Sequence, residues 1–278
     1  MVSCAECDFQ YYSPRPPTAH IEAYYHGVEF YEKINFPAIE IALSLLPESQ
    51  GKLLDVGCGV GALVAVSRKM GWDAVGMDTS PKAVELAKKK LDLEILPNYF
   101  KNTPFQPETF DVIVLLAVLE HVFELVSMMK QVWRLLKPGG TVIFSTPNLD
   151  NLPYLLMKNK EEYSWFVKEH INQFTLKTLR TLLKKTDFHG LTFHQCGHFI
   201  VERVEDKMNL LPGTDFHTGI RSTLINILDH LSEKTFSKRA SELTDSELTE
   251  VMRHQINAWS IGPGEYSITH AVYGKAFK

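Results

Sequence analysis

The sequence predicts an α/β protein with a doubly wound, mostly parallel sheet of seven strands, and three observations lead to this prediction. Short apolar runs alternate with helical segments from Gly51 to about Gln195, as is typical of a parallel sheet covered by helices. Val112–Leu116 is apolar throughout, as expected for a central strand buried on both faces. Alternation in Tyr266–Phe277 predicts a closing strand, which we expect to be antiparallel.

Each predicted element has a local signal. Gly71 favours the end of the first helix, and Ser80 caps the next helix with Pro81 at its first position. A turn at Lys137–Gly140 leads into the fifth strand. The predicted strands before the closing one are Lys52–Val56, Ala74–Asp78, Leu93–Leu96, Val112–Leu116, Thr141–Thr146 and Leu191–Gln195. The predicted helices between them are Ala62–Met70, one that begins at Pro81, Glu124–Leu136 and Thr175–Lys185.

Two regions interrupt this rhythm and divide the chain. Residues 1–50 form an N-terminal helical cap with a helix at Phe36–Leu46, and residues 51–200 form the core. Residues 201–264 look helical, and residues 265–278 contain the closing strand. Because that strand must return to the sheet, we interpret 201–264 as a helical insertion, a lid over the substrate, rather than a separate domain.

Composition excludes several classes of protein. The formal net charge is −4 and the isoelectric point is near 6.3, so the chain has no basic footprint for nucleic acid or anionic membrane. No apolar run approaches the ~20 residues that span a bilayer, and the N-terminus has no signal-peptide pattern. We therefore expect a cytoplasmic protein with a small-molecule partner. The oligomeric state stays open.

Four cysteines in 278 residues do not make a disulfide framework, which favours a reducing compartment. Cys4 and Cys7 form a C-x-x-C knuckle, but a structural zinc site needs four ligands and no second pair is present. We favour free thiols near the terminus over half of a zinc site. We predict no metal-binding residue.

The glycine turn Gly57–Gly61 raises the main functional question, because it satisfies both the dinucleotide fingerprint and other adenosine-binding patterns. Asp55 precedes it at the end of an apolar strand, where a carboxylate repels a pyrophosphate but attracts an ammonium group. Asp78 ends the second strand, where an acid accepts both hydroxyls of a ribose. The pair favours an adenosine ligand with a positive charge and no phosphate.

Four segments in order carry a family resemblance: LLDVGCGVGALV, GMDTSPKAVELAKKK, PFQPETFDVIVLLAVLEHV and RLLKPGGTVIFSTPN. Together they resemble class I S-adenosylmethionine-dependent methyltransferases, most closely the branch that acts on quinones, sugars and other small molecules. The resemblance covers about Gly51 to Gln195. It implies a Rossmann-like sheet, S-adenosylmethionine as the cofactor, and methyl transfer to a small-molecule hydroxyl or amine.

The resemblance also implies which residues bind the cofactor. Asp55 and the turn would hold its methionine part, and Asp78 its ribose. The full set that it implies is Asp55, Gly57, Cys58, Gly59, Gly61, Met77, Asp78, Thr79, Leu116 and Ala117. The run after the third strand departs from the family pattern, since it lacks the usual acid beside the adenine. Tyr99 or Phe100 is expected to stack on the adenine instead.

The candidate catalytic residues are histidines, because a hydroxyl acceptor must lose a proton as it attacks the methyl group. His121 follows the fourth strand, and His170 lies on the segment before the next helix, where similar methyltransferases carry a histidine facing the substrate. His26 is a weaker third candidate. Each is weighed against an ordinary structural histidine. The predicted acceptor-binding residues are the aromatic side chains Tyr24, Tyr25 and Trp165.

Three functional hypotheses stay open on the sequence alone. The first is a methyltransferase acting on a sugar or quinone-like acceptor. The second is an NAD-dependent oxidoreductase, suggested by the G-x-G-x-x-A pattern that ends at Ala62, although Asp55 argues against it. The third is a non-catalytic protein that binds S-adenosylmethionine, suggested by the altered run around Tyr99.

Overall fold

The computed structural model describes residues 1–17, 19, 36–149, 170–195 and 271–278. Within these ranges, residues up to 148, 170–193 and 271–278 belong to one compact unit. The predicted insertion 201–264, the aromatic residues Tyr24, Tyr25 and Trp165, and His26 lie outside the described residues. No helix in the described ranges combines the length and apolar character needed to cross a bilayer.

The described elements follow the predicted order. The strands are β1 (Val2–Ser3), β2 (Gln10–Tyr11), β3 (Lys52–Val56), β4 (Asp73–Met77), β5 (Phe110–Leu116), β6 (Leu136–Pro147), β7 (Asn172–Gln173), β8 (His189–Gln195) and β9 (Ala271–Phe277). The α-helices are α1 (Phe36–Ser44), α2 (Ala62–Lys69), α3 (Pro81–Leu91), α4 (Leu125–Leu135) and α5 (Leu176–Lys185). Two short 3₁₀-helices span Phe100–Asn102 and Leu119–His121.

A six-stranded sheet with the order β4-β3-β5-β6-β9-β8 forms the centre of the unit. Strand β3 pairs in parallel with β4 and β5, and β5 pairs in parallel with β6. Strand β9 pairs antiparallel with β6. The doubly wound, mostly parallel sheet and the antiparallel last strand are therefore confirmed. The order reverses between β3 and β5, which places a ligand crevice beyond the carboxyl ends of these strands.

The predicted third strand, Leu93–Leu96, is reduced to a single parallel bridge between Met77 and Leu96. The Leu96 N–H donates to the Gly76 carbonyl, and the Leu96 carbonyl accepts from the Asp78 N–H. Pro97 follows and has no N–H to continue such a ladder. Within the described residues the main sheet thus has six strands, and the seventh predicted strand, Leu93–Leu96, contributes only this bridge.

The Lys137–Gly140 segment is a bulge inside β6 rather than a turn before it. The register against β5 shifts between the Phe110–Leu136 pair and the Val112–Thr141 pair. The Asp111 carboxylate fixes this edge, because its Oδ2 accepts from Lys137 Nζ at 2.7 Å and from the Lys52 N–H at 2.8 Å. Asp111 is therefore a structural residue that ties β3, β5 and β6 together.

A second, three-stranded sheet with the order β1-β2-β7 was not predicted. Its strands have two residues each, which is too short for a recognisable alternation of apolar and polar residues in the sequence. The β1–β2 hairpin is closed by the Cys4 N–H donating to the Phe9 carbonyl at 2.8 Å. The Phe9 ring packs against Phe174 with centroids 5.3 Å apart. The N-terminal residues therefore brace the segment that carries β7.

The main core lies between the sheet and its helices. Leu54, Ile113 and Phe144 from three adjacent strands are fully buried. Helix α3 begins as predicted, since the Ser80 hydroxyl accepts from the Ala83 N–H. Helix α5 begins with a reciprocal pair of bonds between Thr175 and Thr178. These caps fix where the connections after β4 and before α5 leave the sheet.

Candidate active site

The glycine turn is fixed by backbone hydrogen bonds to the end of β4. The N–H groups of Gly57 and Cys58 donate to the Met77 carbonyl at 2.8 and 3.1 Å. The Gly59 N–H donates to Asp78 Oδ2 at 2.9 Å. The turn that the sequence predicts for ligand binding and the acid predicted for the ribose are therefore in direct contact.

The turn requires glycine for conformational reasons. Gly57, Gly59 and Gly61 have φ angles of +71°, +53° and +78°, in the left-handed region. A Cβ at Gly57 would lie 2.9 Å from Val118 Cγ2. A Cβ at Gly61 would lie 2.3 Å from Leu93 Cδ2. The first glycine allows close approach of the segment after β5, and the last allows close packing of α2 on the sheet.

We expect Gly61→Ala to destabilise the protein more than Gly139→Ala, and the two form a matched pair. Gly139 has a φ of +76° but no atom within 4 Å of an added Cβ. Gly139→Ala should cost about 1–2 kcal/mol from the backbone alone. Gly61→Ala should cost about 1–3 kcal/mol more, because the buried Leu93 must shift. Urea unfolding measures the free energy of unfolding of both variants. Equal decreases would show that the contact with Leu93 does not contribute to the effect of Gly61→Ala.

Asp55 and Asp78 are the two buried carboxyl groups beside the turn, with 3% and 7% exposure. Burial, and then the charge of Asp78, raises the pKa of Asp55 to about 8. Burial also raises the pKa of Asp78, against the N–H groups of Ser80 and Gly59 that lower it. No cationic side chain of the described residues forms an ion pair with either group. The site therefore suits a ligand that brings its own positive charge.

The raised pKa of Asp55 predicts a pH-dependent stability. The folded protein holds a proton on Asp55 up to about pH 8, whereas the unfolded chain loses it near the ordinary value of 3.8. Between these values the folded state binds more protons, so the free energy of unfolding falls as pH rises, by on the order of 1 kcal/mol per pH unit. Asp55→Asn should remove this contribution. Urea unfolding at intervals from pH 5 to 8 would contradict the assignment if both proteins had the same slope.

Cys58, Thr79 and Met77 occupy different positions around the turn. Burial, and then the charges of Asp55 and Asp78, raises the pKa of the half-buried Cys58 thiol. Thr79 is exposed beyond the end of β4, whereas the Met77 side chain is buried and contributes its carbonyl to the turn. The Cys58 thiol is therefore neutral at neutral pH.

The two aromatic candidates for the adenine have different environments. Phe100 is 8% exposed and packs in the main core. Tyr99 is 44% exposed, with Lys101 Nζ 5.6 Å from its ring centroid. Of the two rings, Tyr99 presents the larger surface to a ligand, whereas the Phe100 ring packs in the core, so we favour Tyr99 of the two predicted stacking partners.

Leu116 and Ala117 end β5 next to the turn, as the sequence predicts. Leu116 is half-buried and Ala117 is exposed. Ala117 has a φ of +52°, which is uncommon for a residue with a Cβ. The Ala117 N–H is held by the carbonyl and the hydroxyl of Ser145 at 3.1 and 3.0 Å. Backbone strain of this kind concentrates at functional sites.

His121 and His170 come together although 49 positions separate them in the chain. Their ring centroids are 4.8 Å apart in an edge-to-face arrangement. Asn172 on β7 brings the segments together, because its Nδ2 donates to the carbonyls of Leu119 and Val122 at 3.0 and 2.6 Å. Both rings are half-buried. The structure thus joins the two predicted catalytic histidines in one cluster.

Glu120 completes this cluster and was missed by sequence reasoning. Its carboxyl is 1% exposed, and burial raises its pKa to about 7. Glu120 Oε1 lies 3.9 Å from His121 Nε2. One ligand atom from each of Glu120, His121 and His170 lies within 4.8 Å of the others. The adjacent Glu-His pair after a strand is the sequence signal that could have identified it.

Comparison with known proteins identifies the family. A family profile described as "Methyltransferase domain" matches residues 30–192, which is more than half of the chain. The chain belongs to the family of methyltransferase domains. The match includes β3 to β7, so the glycine turn, both aspartates and the Glu120–His121–His170 cluster all lie within the family's region.

Curated proteins to which this chain is similar are named ubiquinone biosynthesis O-methyltransferase. The protein of Aliivibrio fischeri strain MJ11 is 37% identical over 110 residues, 37% of this chain and 47% of that protein. The protein of Klebsiella pneumoniae strain 342 is 29% identical over 188 residues, 62% of this chain and 74% of that protein. The matched part spans about half the length of most such relatives.

Solved structures support the fold. A SAM-dependent methyltransferase from Thermotoga maritima aligns over 94% of this chain and 97% of its own, with a TM-score of 0.53 and 18% identity. A SAM-dependent methyltransferase from Archaeoglobus fulgidus aligns over 90% and 97%, with a TM-score of 0.55 and 14% identity. These similarities confirm the Rossmann-like architecture that the family resemblance implies.

Proposed function

We propose that this protein is an S-adenosylmethionine-dependent methyltransferase that methylates a hydroxyl group on a small, quinone-like aromatic acceptor. The observation that carries the proposal is the pair of buried acids, Asp55 and Asp78, which lie beside a glycine turn and form no ion pair with a cationic side chain in the described part of the chain. The names of the curated relatives favour a hydroxyl acceptor over an amine and a quinone-like ring over a sugar.

The residues around the turn fit S-adenosylmethionine. The ammonium group of the cofactor's amino acid would favour the ionised form of the buried Asp55, whose pKa is otherwise raised, and burial makes the resulting charge pair strong. Asp78 uses one oxygen for the Gly59 N–H and one for the Ser80 N–H, and each oxygen keeps a lone pair for a ribose hydroxyl. Tyr99 has an exposed ring for the adenine. Ala117 and Leu116 line the position of the reactive sulfur.

When bound, the cofactor supplies a methyl group on a positively charged sulfur, which an oxygen displaces in line. The protein's contribution is to align the acceptor, to exclude water and to help the hydroxyl lose its proton. Glu120 and His121 lie in the short 3₁₀-helix that follows β5, three and four residues after Ala117, and His170 packs against His121. Two of the polar groups that promote ionisation of the acceptor therefore lie on the segment that continues from the cofactor site, and the third, His170, packs against them.

The remaining sequence-based expectations complete the proposal. The insertion 201–264 serves as a lid over the acceptor, and Tyr24, Tyr25 and Trp165 contact it. The location is cytoplasmic, which is consistent with the free thiols of Cys4, Cys7 and Cys58.

A methyl-transfer assay tests the proposed function. The protein is incubated with S-adenosylmethionine carrying a labelled methyl group and with matched acceptors: a catechol, its amino analogue and a sugar. We expect label on a catechol oxygen. Label only on the amine or the sugar would correct the acceptor class. Cofactor binding without transfer to any of the three would favour the non-catalytic hypothesis.

A further inference from the structure

We propose that the two buried amides of β7, Asn172 and Gln173, are positioning residues for the histidine pair, and that the N-terminal hairpin keeps β7 in place. The histidine pair is His121 and His170, and the N-terminal hairpin is residues 2–12, which include β1 and β2. The inference rests on the proposed function for the reaction in which the histidines take part. The arrangement itself is argued from hydrogen bonds and packing.

The Asn172 side chain fixes the backbone on both sides of His121. Its Nδ2 donates to the carbonyl of Leu119 at 3.0 Å and to the carbonyl of Val122 at 2.6 Å. Leu119 begins the 3₁₀-helix that ends at His121, and Val122 follows directly. Asn172 is 1% exposed, so water competes little for these bonds. One amide thus determines where the His121 segment lies.

The Gln173 side chain fixes the backbone of the other histidine. Its Nε2 donates to the His170 carbonyl at 3.0 Å, and the residue is 4% exposed. Successive side chains of a strand point to opposite faces. Asn172 therefore reaches the segment after β5, whereas Gln173 reaches back to the residues that precede β7. The two residues of one short strand hold both histidine segments.

The histidine pair depends on this support. The ring centroids are 4.8 Å apart and the ring planes are inclined at 68° to each other. A single contact between two rings contributes little by itself. A displacement of about 1 Å at a reacting group can cost about 100-fold in rate. Fixing the backbone at both histidines therefore contributes to the rate through the rings.

The N-terminal hairpin pairs with β7. Strand β2 lies antiparallel to both residues of β7 and is its neighbour in the β1-β2-β7 sheet. The Tyr12 N–H donates at 3.1 Å to the carbonyl of Ile171, the residue between His170 and β7. Short strands are marginally stable without further partners. The hairpin therefore determines the course of the chain from His170 into β7.

One apolar contact and one ion pair attach the hairpin to the residues after β7. The Phe9 ring packs against the buried Phe174 with centroids 5.3 Å apart. Asp8 pairs with Lys177, but both side chains are exposed, so the ion pair contributes little. Phe9 is therefore the hairpin residue whose removal is most informative.

A double-mutant cycle in the full-length chain tests the positioning role. Asn172→Ala should lower turnover at saturating cofactor and acceptor by about 10- to 100-fold, because the rings shift. Cofactor affinity should not change. In the background His121→Ala/His170→Ala the same change should have no further effect, since Asn172 acts through these rings. An equal loss of turnover in both backgrounds would overturn the proposal, and so would unchanged turnover in Asn172→Ala.

Gln173→Ala gives the same test from the other side of the pair, and it keeps the test valid if Asn172→Ala does not fold. We expect the same dependence on the two rings. The matched control is Gln50→Ala, because Gln50 Nε2 also donates to a backbone carbonyl, that of Met70, at 2.6 Å. Gln50 precedes β3, at the opposite end of the sheet from the site. This variant should keep wild-type turnover.

Phe9→Ala tests the contribution of the hairpin. Loss of the ring should loosen β2 and β7 together, so turnover should fall by a smaller factor than in Asn172→Ala. This loss should also disappear in the background that lacks both histidine rings. Wild-type turnover in Phe9→Ala would show that the hairpin does not position the pair.

NMR of histidine-labelled protein measures the proximity of the two rings separately. We expect a nuclear Overhauser effect between the ring protons of His121 and His170 in the wild type and in Gln50→Ala. It should be lost in Asn172→Ala and in Gln173→Ala, and its persistence in both would overturn the proposal. This readout needs no methyl transfer. A wild type that shows the ring contact but methylates no acceptor would refute the proposed function alone.

Discussion

Replacing Asp78 with alanine is expected to weaken binding of S-adenosylmethionine by about 10- to 150-fold. Hydrogen bonds to a charged acceptor contribute about 1.5–3 kcal/mol, and Asp78 is the acceptor assigned to the ribose hydroxyls. The same change removes the bonds from the Gly59 and Ser80 N–H groups, so the turn itself should loosen. Titration calorimetry measures the loss of affinity directly.

Asp73 provides the control for this experiment. It begins the same strand, is exposed, and faces Lys52 at 3.9 Å on the surface. Asp73→Ala should leave cofactor affinity unchanged. Asp78→Asn separates the two roles of Asp78, because an amide keeps one acceptor oxygen and should lose less affinity than alanine. Unchanged affinity in Asp78→Ala would show that the ribose lies elsewhere.

Replacing His170 with alanine is expected to slow methyl transfer by about 10²- to 10⁴-fold while cofactor affinity changes little. Groups that handle the proton of a reacting hydroxyl contribute in this range. His170 packs edge-to-face with His121 and lies in the cluster with the buried Glu120. Turnover under saturating cofactor and acceptor gives the effect on the chemical step.

The matched control is His189→Ala, which should retain wild-type turnover. Stability of both variants is compared by urea unfolding, so that a folding defect is not mistaken for a catalytic one. If His170→Ala reduced cofactor affinity and stability but not the rate at saturation, His170 would be a structural residue.

The parts of the fold that could be predicted are those with local signals. Lys52–Val56 is found with the predicted bounds, and the Ser80–Pro81 start of α3 is confirmed. Both could be predicted because the residues that determine a buried strand or a helix cap are adjacent in the sequence. The Leu93–Leu96 strand was not formed, since the proline after it stops the ladder. Strand β2 was missed because it exists only through its pairing with β1 and β7.

The residues of the candidate site also fall into those that a local sequence pattern predicts and those that depend on the fold. Asp55 and the glycine turn could be predicted because they lie at one strand end and act through a short sequence pattern. The sequence could not choose between Tyr99 and Phe100 for the adenine, because only the packing shows that the Phe100 ring enters the core. Glu120 was missed as a site residue because its environment depends on His170. His170 lies just before β7, far from Glu120 in the sequence, and only the fold places the two residues close together.

The claim that all of this depends on is that the rim of the sheet binds an adenosyl amino acid rather than a dinucleotide. Calorimetric titration of the wild type with S-adenosylmethionine, its demethylated product and NAD tests it most directly. We predict one site per chain for the first two compounds and no binding of NAD. Binding of NAD, with no heat from either adenosyl amino acid, would contradict the account.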